Sequence, residues 1–160
     1  MTLPDQLEQS LVMVAELCAP AADPWWVISS AAVALHGAPV DDVRDVDLLM
    51  SGRDARATLM RIGVEPRAGR ATDLFRSAVF GTWHGPPLPV EIFGDFDFAG
   101  PNGWSRIAPQ TRKPVAIGDQ ILFVPSAAEL RRMLIGFGRP KDLARARLLP
   151  GLNQRPGNAP

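Results

Sequence analysis

Cysteine and histidine are nearly missing from this sequence, with one and two residues respectively among 160. A lone Cys18 forms no intramolecular disulfide, which excludes a disulfide-stapled scaffold and points to a reducing, cytoplasmic setting. With so few histidines there is no zinc constellation and little to activate a thiol, so Cys18 reads as a small core residue. His36 reads as a hydrogen-bonded structural histidine and His84 as an exposed turn residue. Net charge is lacking too: 17 Lys and Arg balance 17 Asp and Glu. Nothing in that balance calls for a nucleic-acid backbone or an anionic membrane surface. No run reaches the ~18 apolar residues of a membrane span, and the N-terminus has no basic-then-apolar leader. Internal repeats and a second hydrophobic domain are also missing.

What is present is a composition 46% hydrophobic and 21% charged, as in soluble globular proteins. The length suits one domain, expected over 1–149, with a core over 25–94 and C-terminal helices over about 126–149. The polar, proline-rich stretch 150–160 is expected to be a disordered tail. Leu7, Leu11, Val14, Ala15 and Cys18 fall at helical spacing, predicting a helix from Pro4 to Ala19. Trp25 to Ile28 reads as a buried strand, Ala31 to His36 as a helix ended by Gly37, and Asp45 to Met50 as a second strand. Gly52 to Ile62 reads as a helix stopped by Gly63. Phe75 to Trp83 and Leu88 to Phe93 read as a hairpin through His84-Gly85-Pro86-Pro87. Gly100 to Pro114 reads as an irregular surface excursion, and Val115 to Ile117 with Ile121 to Val124 as a small β pair. Ser126-Ala127-Ala128-Glu129 has the form of a capping box opening a helix to about Ile135, and Pro140 opens a last helix to Leu149. The fold class is therefore α/β (α+β): a small mixed sheet flanked by helices, with a C-terminal helical pair.

The densest chemical signal is Ile28-Ser29-Ser30 followed by Asp45-Val46-Asp47-Leu48. The serines open a helix whose N-terminal N–H groups would seat a phosphate. Carboxylates two apart on a strand share a face, roughly 6.5–7 Å apart, within reach of one divalent cation. Charges in an apolar run are costly to bury unless paired or metal-bound. Asp45 and Asp47 are thus read as cation ligands, the alternative being a sheet end facing solvent. Glu91, central in Pro89-Val90-Glu91-Ile92-Phe93, completes a three-carboxylate site if its strand lies beside the first; otherwise it is an edge charge that blocks aggregation. Such oxygen ligands suit Mg2+ or Mn2+. Arg44 is read as a phosphate contact or as half of a surface ion pair. Asp41 and Asp42 read as turn residues. The tryptophans read as core or boundary residues, Trp104 also being placed to stack on a nucleobase.

Together these elements resemble the nucleotidyltransferase superfamily, the polymerase-β-like minimal fold, in its small bacterial members related to abortive-infection nucleotidyltransferases. Those proteins carry a strand, a Gly-Gly or Gly-Ser step opening a helix, a strand of alternating hydrophobic and Asp character, and a third acid on a later strand. Ile28-Ser29-Ser30, Asp45-Val46-Asp47-Leu48 and Val90-Glu91-Ile92 resemble these three elements in order. Arg139-Pro140-Lys141-Asp142 is similar to the Arg-x-Lys-Asp helix of the toxin-like members. Ser29 departs from the usual glycine, Glu91 from the usual aspartate, and Arg145 stands where those members often have an acid.

The resemblance implies transfer of a nucleoside monophosphate from a nucleoside triphosphate to an acceptor, with pyrophosphate released. It implies Asp45, Asp47 and Glu91 as ligands of Mg2+ or Mn2+, Ser29, Ser30 and Arg44 at the phosphates, and Lys141 as a catalytic cation. The other basic residues of the C-terminal helices (Arg131, Arg132, Arg139, Arg145, Arg147) read mainly as solvated charges. A small molecule or a protein suits the acceptor better than a nucleic acid, given zero net charge. The alternative function is a catalytically degenerate relative that binds nucleotide or a protein partner, antitoxin-like. A helical protein partner and a homodimer both remain open.

Overall fold

The computed structural model describes residues 2–149. The expectation for residues 150–160 lies outside the described residues. Helix α1 (Asp5–Cys18) buries Leu7, Leu11, Val14, Ala15 and Cys18 along one stripe, as the spacing predicts. Strand β1 (Trp26–Ile28) runs straight into α2 (Ser29–Leu35), and Gly37, at φ 87°, ends that helix in the left-handed conformation that glycine adopts at little cost. After a loop come β2 (Val46–Met50) and α3 (Gly52–Arg61). Then follow β3 (Phe75–Trp83), β4 (Val90–Gly100) and β5 (Gly103–Arg106). A hairpin of β6 (Lys113–Ile117) and β7 (Gln120–Val124) leads to α4 (Ala127–Phe137) and α5 (Pro140–Leu148).

The main sheet has the order β1-β2-β4-β3, with β5 also on β4. β1–β2, β3–β4 and β4–β5 are antiparallel, while β2 and β4 run parallel with Asp47 opposite Glu91. This is the mixed sheet flanked by helices that the sequence predicts, closed by the expected helical pair α4–α5. α3 covers one face of β3–β4, where Gly94 brings the strand against Ala55 and Gly52. Val27, Val46, Leu48, Leu59, Ile92, Leu122, Leu130 and Leu134 join α1 in one continuous core. The opposite face of β3–β4 is left open as a cleft floor. Among the described residues no helix is long and apolar enough to cross a membrane.

Three local expectations are corrected. The stretch from Gly100 to Pro114 is not wholly irregular: a two-residue turn, Pro101-Asn102, returns the chain as β5 along β4, because Gly103 takes φ 101° there. The capping box at Ser126 is half formed. Ser126 Oγ accepts the Glu129 N–H, but the Glu129 carboxylate accepts the N–H groups of Gln110 and Thr111 and the Thr111 hydroxyl, fastening the preceding loop. Finally, α2 begins at Ser29, two residues before the expected Ala31. Ile28 occupies the N-cap position and no side chain caps it.

A second clamp was not foreseen. The buried Asp54 carboxylate accepts the N–H groups of Ala22 and Asp23 at 3.0 and 2.7 Å, and Asp23 in turn binds Ser51 and Arg53. The turn after α1 is thereby pinned to the start of α3.

Candidate active site

The parallel pairing of β2 with β4 puts Asp47 and Glu91 side by side, and Asp45 two residues earlier extends the row. One carboxylate oxygen from each of the three lies within 4.8 Å of the others. Along β2, Val46 and Leu48 enter the core while Asp47 between them, on the other face, lines the cleft. Asp47 Oδ1 is buried and has no hydrogen-bond partner among the described residues. An orphaned buried carboxylate oxygen is costly, and a cation is the partner that three converging acids would accept. Burial, then the charges of Asp45 and Glu91, push the Asp47 carboxyl up to about 7, with the Ser29 hydroxyl opposing. Glu91 is also shifted upward, first by burial and then by Asp45, while Asp47 and the Lys141 charge draw it back. Charge repulsion within the row is what a bound divalent cation would relieve.

Beside the acids, Ile28 pairs with Asp47, so the start of α2 borders the carboxylate row. Ser29 sits at φ 61°, a left-handed conformation that costs a non-glycine residue roughly 1–2 kcal/mol. The backbone thus keeps the shape a glycine would take, although the side chain differs. Ser30 is buried and lines the cleft.

The cleft measures about 670 Å³ and holds all the residues singled out in the sequence: Ser29, Ser30, Arg44, Asp45, Asp47, Glu91 and Lys141. Arg44 is exposed and pairs with Asp42 at 3.0 Å at the rim. Asp142 neither orients Lys141 nor caps α5. Fully buried, it is held by Arg139 through two bonds of 2.6 and 3.1 Å. Trp104 lies on β5 with the Arg76 guanidinium 4.3 Å from its ring centre, outside the cleft lining. His36 Nε2 lies 2.8 Å from the Pro125 carbonyl, and burial lowers its pKa; burial pushes the Cys18 thiol up to about 12. Both therefore sit as structural residues.

Sequence reasoning missed the rest of the lining. Phe75, Phe80, Phe93, Phe96 and Phe137 face the cleft with Arg70, Arg139 and Arg145. Strict alternation would put Asp95, not Phe96, on the face of Glu91 and Phe93. Asp95 takes φ 51° and resets the alternation, so Phe93 and Phe96 share a side. The available signal was Gly94-Asp95 inside an apolar strand, since Asp tolerates the left-handed region better than most residues.

No protein-family model matches this sequence, and no curated protein matches it. Solved structures do. A candidate nucleotidyltransferase of Thermotoga maritima matches with a TM-score of 0.71 at 20% identity, over 84% of this chain and 86% of its own. The antibiotic-resistance factor ANT(2'')-Ia matches with a TM-score of 0.56 at 12% identity, over 91% and 84%. An antigenic nucleotidyltransferase-like protein of Paracoccidioides brasiliensis matches with a TM-score of 0.56 at 16% identity, over 91% and 74%. At these identities the likeness concerns architecture, and the architecture of this chain is the nucleotidyltransferase fold.

Proposed function

We propose that this protein transfers a nucleoside monophosphate from a nucleoside triphosphate to an acceptor hydroxyl, releasing pyrophosphate. The observation that carries the proposal is the row Asp45, Asp47 and Glu91 on parallel neighbours, with one buried oxygen left without a partner. These three carboxylates would hold Mg2+ or Mn2+, which when bound supplies charge neutralisation along the triphosphate and stabilises the attacking and leaving oxygens. The first backbone N–H groups of α2, with Ser29 and Ser30, grip the β and γ phosphates. Lys141, whose charge already reaches Glu91, offsets the charge that builds on the triphosphate. Glu91 would either complete the cation's ligands or take the proton from the acceptor oxygen. Catalysis is then mainly positioning and charge stabilisation.

The test is thermal unfolding with Mg2+ or Mn2+ and each of the four triphosphates, combined with a pyrophosphate-release assay on the intact chain and on Asp47→Asn. The expected outcome is a metal-dependent rise in Tm with at least one triphosphate, lost in Asp47→Asn, and pyrophosphate release once an acceptor is supplied. Nucleotide binding without release under any acceptor would replace this reading with that of a nucleotide-binding module. No stabilisation by any triphosphate would overturn it.

A further inference from the structure

The half of the cleft away from the serines is built unlike the phosphate end. Phe80, Phe93, Phe96, Phe75 and Phe137 form an unbroken file, consecutive ring centres lying 5.1, 4.7, 5.3 and 5.0 Å apart. The chain contains no tyrosine, so this file offers no hydroxyl of its own. Only Phe96 of the five is buried. The others are part-exposed, presenting apolar ring surface to whatever enters.

Outside the carboxylate row, the charged lining of the cleft is mainly basic. Among the described residues, the only acid lining the cleft beyond the carboxylate row is Asp42, already paired with Arg44 at the rim. Arg70 lines the same cleft, exposed and in no ion pair among the described residues. It is nonetheless held in place. The segment before it bridges to β3, with mutual backbone bonds between Arg67 and Phe80 and a bond from Gly69 N–H to the Ser77 carbonyl. A side chain at 69 would collide with Ser77 Oγ and crowd Phe80, so glycine is what lets this segment lie flat against the strand.

Position then assigns a role, resting on the proposed transfer reaction. Across the sheet the order is α2 start, Asp47, Glu91, then β3, with Phe80 paired to Phe93. If pyrophosphate leaves toward the serines, the in-line nucleophile must enter from the β4–β3 side, over Phe93 and Phe80. We propose that the acceptor is a hydroxylated small molecule with a flat aromatic body and an anionic group, its ring on the phenylalanine file and its anion at Arg70. Its hydroxyl oxygen forms a bond to the α-phosphorus as the bond to pyrophosphate breaks, and its proton leaves to Glu91 or water. A polycationic acceptor is disfavoured once the carboxylate row holds its cation, because among the described residues the rest of the lining offers no unpaired acid to receive it.

The test is isothermal titration of the intact protein with three probes that share one ring: 6-hydroxy-2-naphthoate, neutral 2-naphthol and the cation 2-naphthylmethylammonium. The hydroxynaphthoate is expected to bind at least tenfold tighter than the neutral probe, and the cation weakest. Arg70→Glu, an exposed substitution, should abolish that order, and a Tm equal to wild type shows that the fold is kept. Phe93→Ala should weaken all three probes. Asp47→Asn should bind hydroxynaphthoate as wild type does, because the anion seat is separate from the cation ligands. Equal or tighter binding of the ammonium probe, or an unchanged preference in Arg70→Glu, overturns the proposal. So does displacement of hydroxynaphthoate by a non-hydrolysable triphosphate, which would give the file to the nucleobase. Pyrophosphate release with other acceptors while hydroxynaphthoate fails to bind overturns this inference and leaves nucleotidyl transfer standing. Hydroxynaphthoate binding with the expected order, without triphosphate binding, supports the anion seat and removes the transfer reading.

Discussion

Asp47 stands in an environment that penalises its own charge, and the penalty has a sign in pH. Its carboxyl titrates near 7 in the folded chain, well above the ordinary value near 4 of the unfolded chain. Between those values the folded state binds the extra proton, so this group's contribution to stability falls as pH rises through the window. In chelator, the Tm of wild type relative to Asp47→Asn should therefore decline from pH 4.5 to 7.5, and the asparagine variant should be the more stable at the upper end. Parallel melts of the two proteins across that range check this, and a constant difference would refute it. Ser29 carries strain of another kind. Replacing it by glycine at φ 61° should raise stability by about 0.5–1 kcal/mol, while Ser29→Val should lower it, as read from denaturant midpoints.

At the scale of elements, β4 does two jobs through its two faces. Gly94 admits α3 on one side, where an added Cβ would sit 2.6 Å from Ala55 Cβ and 3.1 Å from Gly52 Cα. Gly94→Ala should therefore cost roughly 2 kcal/mol or more by forcing α3 off the strand, seen as a lower urea midpoint with an unchanged slope. Asp54 is a second element-level joint. Asp54→Ala strands two backbone donors and should cost about 2–4 kcal/mol by the same measurement. The elements themselves were legible because period, glycine and proline are local signals: α1, α3, β3 and α5 stand within a residue or two of where spacing places them, whereas β4 runs on to Gly100, seven residues past its expected end at Phe93. β5 was not, since a four-residue exposed strand has no buried face to pattern. Nor was the partner of Glu129, because Thr111 is 18 residues away in sequence and the capping geometry close at hand. In the site, the acids were legible from charge set within apolar runs. The phenylalanine file was not, because φ at Asp95 breaks the alternation on which such a reading depends.

For the whole molecule, a cation held by the acidic row as proposed would make stability a function of dissolved cations. Mg2+ or Mn2+ at a hundredfold its Kd should add about 2.7 kcal/mol, and Asp47→Asn should be indifferent to it. Differential scanning with and without chelator reads this directly, and identical curves would remove the cation from the account. The parallel pairing of β2 with β4 also has a temporal consequence. The β3–β4 hairpin closes over the short turn after Trp83, whereas Val46 to Met50 must find Val90 to Gly94 across the whole of α3 and β3. Contacts so distant along the chain form late and slowly. During refolding, then, the hairpin is expected to precede the carboxylate row, and affinity for a cation would arrive only once β2 docks on β4. Metal capture by the row, if the proposed cation binds there, would be a clock for completion, silent in every partly folded species that still lacks β2.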